Sequence, residues 1–224
     1  MKRHFYLCLM IIALITLLSG HQPVQPKILI IGDSISIGYT PFVQEKLKGK
    51  AEVMHNPGNA QHTGTGLKKI AEWLGEEEWD IIQFNWGLWD LCYRHPDSKH
   101  YGNRDKVKGT LTHTVEAYAA NLDSLVVILK ELTDARLVFL TTSYVPEAEA
   151  GRYSEDVLRY NAAAIKVMEK HAVPVRDIYN TSKKLHQKHG RAPDDVHFME
   201  EGYEKLSRSI AKFLHKELRA LQRK

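Results

Sequence analysis

Short apolar runs alternate along the chain with longer stretches in which apolar residues recur at helical spacing. Ile28-Leu29-Ile30-Ile31 is continuous and mostly β-branched, the pattern of a strand buried on both faces of a parallel sheet. Similar runs predict strands over 27–32, 52–55, 79–86, 136–143 and 173–178. Helical periodicity predicts helices near 39–48, 64–74, 112–132, 154–171 and 200–221. In the last of these, Tyr203, Leu206, Ile210, Phe213, Leu214, Leu218 and Leu221 form one apolar stripe. Strands that alternate with helices in this way imply an α/β protein whose parallel sheet is covered on both faces. Gly32-Asp33-Ser34 ends the first strand, so Ser34 stands at a strand-to-helix turn, where open α/β sheets place ligands. There the free N–H groups and positive end of a helix would lie beside its hydroxyl.

An alcohol becomes a nucleophile only with a base to take its proton and a group to orient that base. Near the other end of the chain, Asp194-Asp195-Val196-His197-Phe198 follows a loop with Gly190 and Pro193 and precedes the last helix, which puts His197 on a loop. Gly-Asp-Ser alone is a common turn tripeptide, and a lone Asp-x-x-His is more often an exposed pair. Together they make a candidate hydrolytic site.

On these two blocks the chain resembles the GDSL-type esterases of the SGNH hydrolase superfamily. Gly32-Asp33-Ser34 matches the family's first block, and Asp194-x-x-His197 with Phe198 and the Glu200-Glu201-Gly202-Tyr203 helix start matches the last. The resemblance implies a three-layer α/β/α, flavodoxin-like parallel sheet of about five strands, with Ser34 as nucleophile, His197 as general base and Asp194 as the orienting carboxylate. Ser34 is followed by Ile35-Ser36, so the G-x-S-x-G elbow of the α/β-hydrolases is absent. The oxyanion blocks depart from the family. Aligning Asn56 to Thr63 puts Gln61 where a glycine N–H is usual, with Gly58 and Gly64 nearby. The third block reads Gly87-Leu88-Trp89-Asp90 and lacks the usual asparagine. The expected oxyanion donors are the backbone N–H groups of Ser34 and Gln61, with Asn85 or the indole of Trp89 in place of the missing amide.

Met1–Gly20 has a basic start, then an apolar stretch from Phe5 to Leu18, then Ser19-Gly20. The apolar run is short of the ~20 residues of a spanning helix, so residues 1–20 are expected to be a cleaved signal peptide, with an uncleaved anchor as the alternative. Residues 21–224 are then a single domain. Of the two cysteines, Cys8 leaves with the leader and Cys92 is unpaired, so packing and not disulfides must hold the exported domain. The net charge of +4 comes from Lys and Arg interspersed with Asp and Glu, with no stripe suited to nucleic acid.

Other polar residues have competing readings. The segment 91–111, with Arg94, His95, Asp97, His100, Tyr101, Asn103 and Arg104, is too polar for core and follows the third strand, so it is read as a substrate loop over the catalytic edge or as a solvated excursion. Trp86 and Trp89 flank Gly87 and offer a stacking platform for a sugar, or packing. His186 and His189 are read as part of a solvated basic face and not as a zinc site. His55 and His62 lie close to the oxyanion block with either a structural or a contact role. Asp33 is expected to organise the nucleophile turn through backbone N–H groups.

The sequence reading is thus an exported, secreted or periplasmic serine esterase that needs no cofactor or metal. It is expected to cleave short acyl esters, most plausibly acetyl groups on carbohydrate, with no nucleic-acid partner and no membrane association once the leader is removed. A lipase or lysophospholipase of the same fold, and a non-catalytic carbohydrate-binding protein on a hydrolase fold, are the alternatives.

Overall fold

The computed structural model describes residues 25–221 and 223; the leader expected at 1–20 lies outside the described residues. Strands β1 (Lys27–Ile31), β2 (Glu52–His55), β3 (Ile81–Phe84), β6 (Arg136–Leu140) and β7 (Val175–Arg176) form a parallel sheet in the order β2-β1-β3-β6-β7. Between β3 and β6 the chain makes a small antiparallel hairpin, β4 (Tyr93–Arg94) with β5 (Thr110–Leu111). The helices are α1 (Ser34–Leu47), α2 (Thr63–Leu74), α3 (Val115–Leu132), α4 (Asp156–Lys170), α5 (Tyr179–His189) and α6 (Glu200–Leu221). Helix α6 packs on α1 and α5, while α3 packs on α2 and α4. The three-layer α/β/α sheet expected from the sequence is present.

Ile28 to Ile31 are buried, as are all four residues of β3, because helices cover both faces of these central strands. In β3 this includes Gln83, whose Nε2 donates to Tyr39 Oη at 2.7 Å. Tyr203, Leu206, Ile210, Leu214 and Leu218 of α6 are buried, and Phe213 and Leu221 pack at the margin, so the apolar stripe is the core face of that helix.

The elements depart from the sequence reading in three places. Helix α1 starts at Ser34 and not near residue 39, because the Asp33 side chain caps it by accepting from Ile35 N at 2.9 Å. Strands β3, β6 and β7 stop short of the predicted ranges. Helix α5 and the β4–β5 hairpin lie in segments whose polarity hid them. Among the described residues no helix is long and apolar enough to cross a membrane.

Candidate active site

Because the sheet is parallel, its strand ends deliver their loops to one edge. Ser34 is the first residue of α1, shortly beyond β1, so its N–H has no partner within the helix and lies at the positive end of the helix dipole. Asp33 behind it is buried. Burial pushes its carboxyl above the ordinary range, against the pull of the Ile35 N–H. It shapes the turn, as expected from the sequence.

His197 comes to Ser34 from the loop between α5 and α6, and its Nε2 lies 2.8 Å from Ser34 Oγ. The carboxylate on its other nitrogen belongs to Asp195 and not to Asp194, a correction to the sequence reading. Asp195 Oδ1 takes a short hydrogen bond from His197 Nδ1 and accepts the His197 backbone N–H at 3.0 Å. Asp194 is exposed. The backbone explains the shift: Val196 and Phe198 are both buried, so the loop is anchored on either side of His197 and the residue two before it folds back onto the ring. Burial raises the Asp195 carboxyl, but the backbone and ring of His197, and then the charge of Arg191, outweigh it and hold its pKa below the ordinary value. An aligned carboxylate, imidazole and alcohol can pass a proton from the alcohol to the ring while the carboxylate steadies the imidazolium.

His186 was missed as part of this site. Instead of lying on a solvated face, its ring is buried, packs edge-on against Phe198 and Tyr144, and places Nε2 2.6 Å from the Asp195 carbonyl oxygen. His189 packs under α6, with Nε2 2.9 Å from Lys205 Nζ. The two histidines brace the loop that carries His197. Their i, i+3 spacing next to the Asp-Asp-x-His block was the available signal, obscured by the lysines around them. Among the described residues no group of three or more His, Cys, Asp or Glu side chains is placed to hold a metal ion.

The expected oxyanion donors are redistributed. Gln61 takes the left-handed conformation (φ 53°) at the position of the family's glycine, and its N–H is spent on Asn59 Oδ1 at 2.8 Å. Asn85 is also turned away, its Nδ2 directed at the carbonyls of Leu140 (3.3 Å) and Thr141 (3.5 Å) at the end of β6. Asn59 lines the same cavity as Ser34. Because the Gln61 N–H fixes the carbonyl end of its amide, the Asn59 NH₂ is the end left to donate. Trp89 lines the cavity too. Gly87 has φ 145°, and a Cβ there would meet Thr142 Oγ1 at 2.0 Å, so the third block requires glycine at this point.

Of the two readings of Trp86, platform or packing, the structure shows packing: it is fully buried and donates Nε1 to the Ala60 carbonyl at 3.3 Å. His55 is structural, its Nε2 2.7 Å from Ser36 Oγ and its Nδ1 2.7 Å from the Asn56 carbonyl. His62 caps α2, its Nδ1 accepting from Thr65 N at 3.2 Å. Asp90 ties the third block to the second: it is buried, accepts Thr63 N at 3.0 Å and meets His113 Nδ1 at 2.8 Å.

The segment 91–111 does overhang the catalytic edge. It is pinned by Tyr93 N to the Gly151 carbonyl and Lys106 N to the Ala150 carbonyl, both 2.7 Å. With it, Arg94, Tyr101 and Arg104 reach a cavity of about 370 Å³ that also takes in Ser34, His197 and Asp195. Arg152 and Arg191 complete its basic lining; neither was singled out from the sequence.

Solved structures resemble the chain at low identity, which establishes likeness of fold. A lipase/acylhydrolase from Enterococcus faecalis aligns with a TM-score of 0.68 and 20% identity over 86% of this chain and 97% of its own. The acetyl xylan esterase AlAXEase aligns with a TM-score of 0.66 and 15% identity over 84% and 99%. Axe2, an acetylxylan esterase from Geobacillus stearothermophilus, aligns with a TM-score of 0.63 and 18% identity over 84% and 93%. No curated protein matches the chain by sequence. Residues 30–205, which span Ser34, Asp195 and His197, match the GDSL-like lipase/acylhydrolase family, and the chain belongs to that family, as a carboxylic ester hydrolase of the SGNH superfamily.

Proposed function

We propose that Ser34 is the nucleophile of a two-step acyl-enzyme esterase, with His197 as its general base and Asp195 as the residue that orients the base. The observation that carries this is the unbroken line from Asp195 Oδ1 through the His197 ring to Ser34 Oγ, 2.8 Å from Nε2. As Oγ attacks the ester carbonyl, Nε2 takes its proton. The carbonyl oxygen becomes an oxyanion held by the Ser34 N–H and the Asn59 amide. Collapse breaks the bond to the alcohol, which leaves with the proton from His197. Water, deprotonated by the same ring, then releases the acid and restores Ser34.

The substrate we propose is a short acyl ester, an acetyl group on carbohydrate. The cavity wall around Ser34 is built from arginines, Asn59 and Tyr101, with Leu88, Val196 and the Trp89 ring as its apolar members. A long acyl chain would need a continuous apolar wall. That argues against the lipase reading, and the resemblance to two acetylxylan esterases agrees with a carbohydrate acceptor. The ordered Ser34, His197 and Asp195 set argues against a non-catalytic sugar binder. We also propose export through residues 1–20, which leaves residues 21–224 as a single domain with no cofactor of its own.

A screen of acetate release over acetylated polysaccharides, paired with aryl esters of increasing chain length, tests the reading. Acetyl esters should be cleaved with the highest kcat/KM, falling steeply by octanoate. A preference for octanoate overturns the short-acyl assignment, and failure of an active-site phosphonate to label Ser34 overturns the esterase mechanism.

A further inference from the structure

Four guanidinium groups line the cavity that holds Ser34 and His197. Two share one acid behind the wall. Glu149 is fully buried, takes Arg152 Nη1 at 2.9 Å and binds Arg104 by a short contact. Arg191 lies 3.7 Å from Asp195 Oδ2, but that carboxylate is already engaged by His197. Arg94 has no carboxylate within 4.0 Å among the described residues. Its guanidinium lies 4.7 Å over the Trp89 ring, and its Nη1 donates to the Gly102 carbonyl. Burial lowers its pKa, and Arg152 and Arg104 nearby add to that.

A half-buried cation among other cations costs desolvation and repulsion, and a cation–π contact offsets only part of that cost. A bound anion would offset the rest. The planar fork of arginine suits two oxygens of a carboxylate or phosphate, and contact with the Trp89 ring restrains where the fork can sit. Since the acyl part is short, a charge that reaches Arg94 must sit on the alcohol part of the ester.

We propose that the substrate carries an anionic oxygen group, a carboxylate or a phosphate, on its alcohol part, and that Arg94 is the specificity-determining residue that reads it. This rests on the esterase reading of the Ser34 site. For an acetylated glycan the group would be a uronic acid carboxylate; for an acylated glycerol phosphate it would be the phosphate.

The test compares the acetylated methyl glycoside of glucuronic acid, its neutral methyl ester and an acetylated glycerol phosphate, with wild type, Arg94→Gln and Arg94→Lys. Wild type should favour at least one charged ester over the neutral one by roughly 10- to 100-fold in kcat/KM, the range of a charge-assisted hydrogen bond. The preference should sit mainly in KM and shrink with added salt. In Arg94→Gln the charged-to-neutral ratio should fall to about one, and Arg94→Lys should recover part of it. Whichever anion is favoured identifies the source. If Arg94→Gln does not fold, the wild-type ratio and its salt dependence decide. Cleavage of all three esters without charge preference overturns this inference and leaves the esterase reading intact. A separate calorimetric titration of Ser34→Ala with methyl glucuronoside and with glycerol phosphate separates the two failures. Arg94-dependent binding in a chain that cleaves no ester supports the anion site and overturns the esterase reading.

Discussion

Asp195 and Asn59 are told apart from a chemically identical residue, Asp194 and Asn85, by which way the side chain turns. Asp194 and Asp195 are adjacent and chemically identical, yet only Asp195 meets His197 Nδ1. Asp195→Asn should therefore lower kcat by about 10³–10⁴, the scale on which a lost orienting carboxylate acts, while Asp194→Asn stays within about twofold. Steady-state kinetics of the two variants check this, and a larger defect in Asp194→Asn would return the role to that residue. The same contrast holds between Asn59 and Asn85. Asn59 lines the cavity with its Oδ1 held by the Gln61 N–H, whereas Asn85 spends its NH₂ on the Leu140 and Thr141 carbonyls. Asn59→Ala should cost about 10²–10³ in kcat with little change in KM. Asn85→Ala should leave kcat within a few-fold and cost about 1–3 kcal/mol of stability, because it orphans buried carbonyls. A large kcat loss in Asn85→Ala alone would overturn this assignment. The sequence marked Ser34 and His197 because their blocks have fixed chemistry. It settled on Asp194 in place of Asp195 and did not single out Asn59 as a donor, since both depend on local backbone geometry such as the left-handed Gln61.

At the scale of elements, the helices next to the proposed nucleophile and base pack against each other. Ser34 opens α1, His197 lies three residues before α6, and Gly38 of α1 takes the Tyr203 ring so closely that a Cβ there would come within 2.3 Å of it. Lys46 of α1 also donates to Glu204 of α6 at 2.6 Å, and Arg208 binds the other oxygen of the same carboxylate at 2.9 Å. Arg208 first, then Lys46, hold the Glu204 pKa down to about 2 from its ordinary 4.5. The depressed value means the unfolded chain takes up a proton there before the native chain does. The contribution is complete above about pH 4.5 and disappears as pH falls toward 2. Glu204→Gln should consequently flatten the fall of the urea midpoint over that window and lower the midpoint at pH 7 only slightly, since the pair is partly exposed. A slope unchanged from wild type would show that other carboxylates control acid stability. The long amphipathic α6 and the buried β1 were legible because their periodicity is strong. Helix α5 was not, because its lysines mask the buried faces of Tyr179, Ser182 and His186.

For the whole molecule, the separation of Ser34 and His197 along the chain makes activity a property of the assembled fold. Ser34 is fixed to β1 by a short turn through Gly32 and Asp33, whereas His197 is carried by the loop between α5 and α6. That loop is tied at several points. Arg191 N donates to the His197 carbonyl at 2.9 Å, Met199 N to the His189 carbonyl at 2.8 Å, and Val196 and Phe198 are buried on either side of the base. Opening it would expose both apolar side chains and break the His186 contact to the Asp195 carbonyl, at a cost of roughly 1.5–3 kcal/mol for each large side chain uncovered. An opening that expensive is a large share of the stability of a domain. Loss of activity and loss of helix should then follow one urea transition with the same midpoint when hydrolysis and far-ultraviolet circular dichroism are measured on matched samples. Phe198→Ala should split them: with the loop's main anchor gone, activity should disappear at lower urea than the helical signal. If wild type already shows that split, the α5–α6 loop opens independently of the domain, and the base is held by less than these contacts imply.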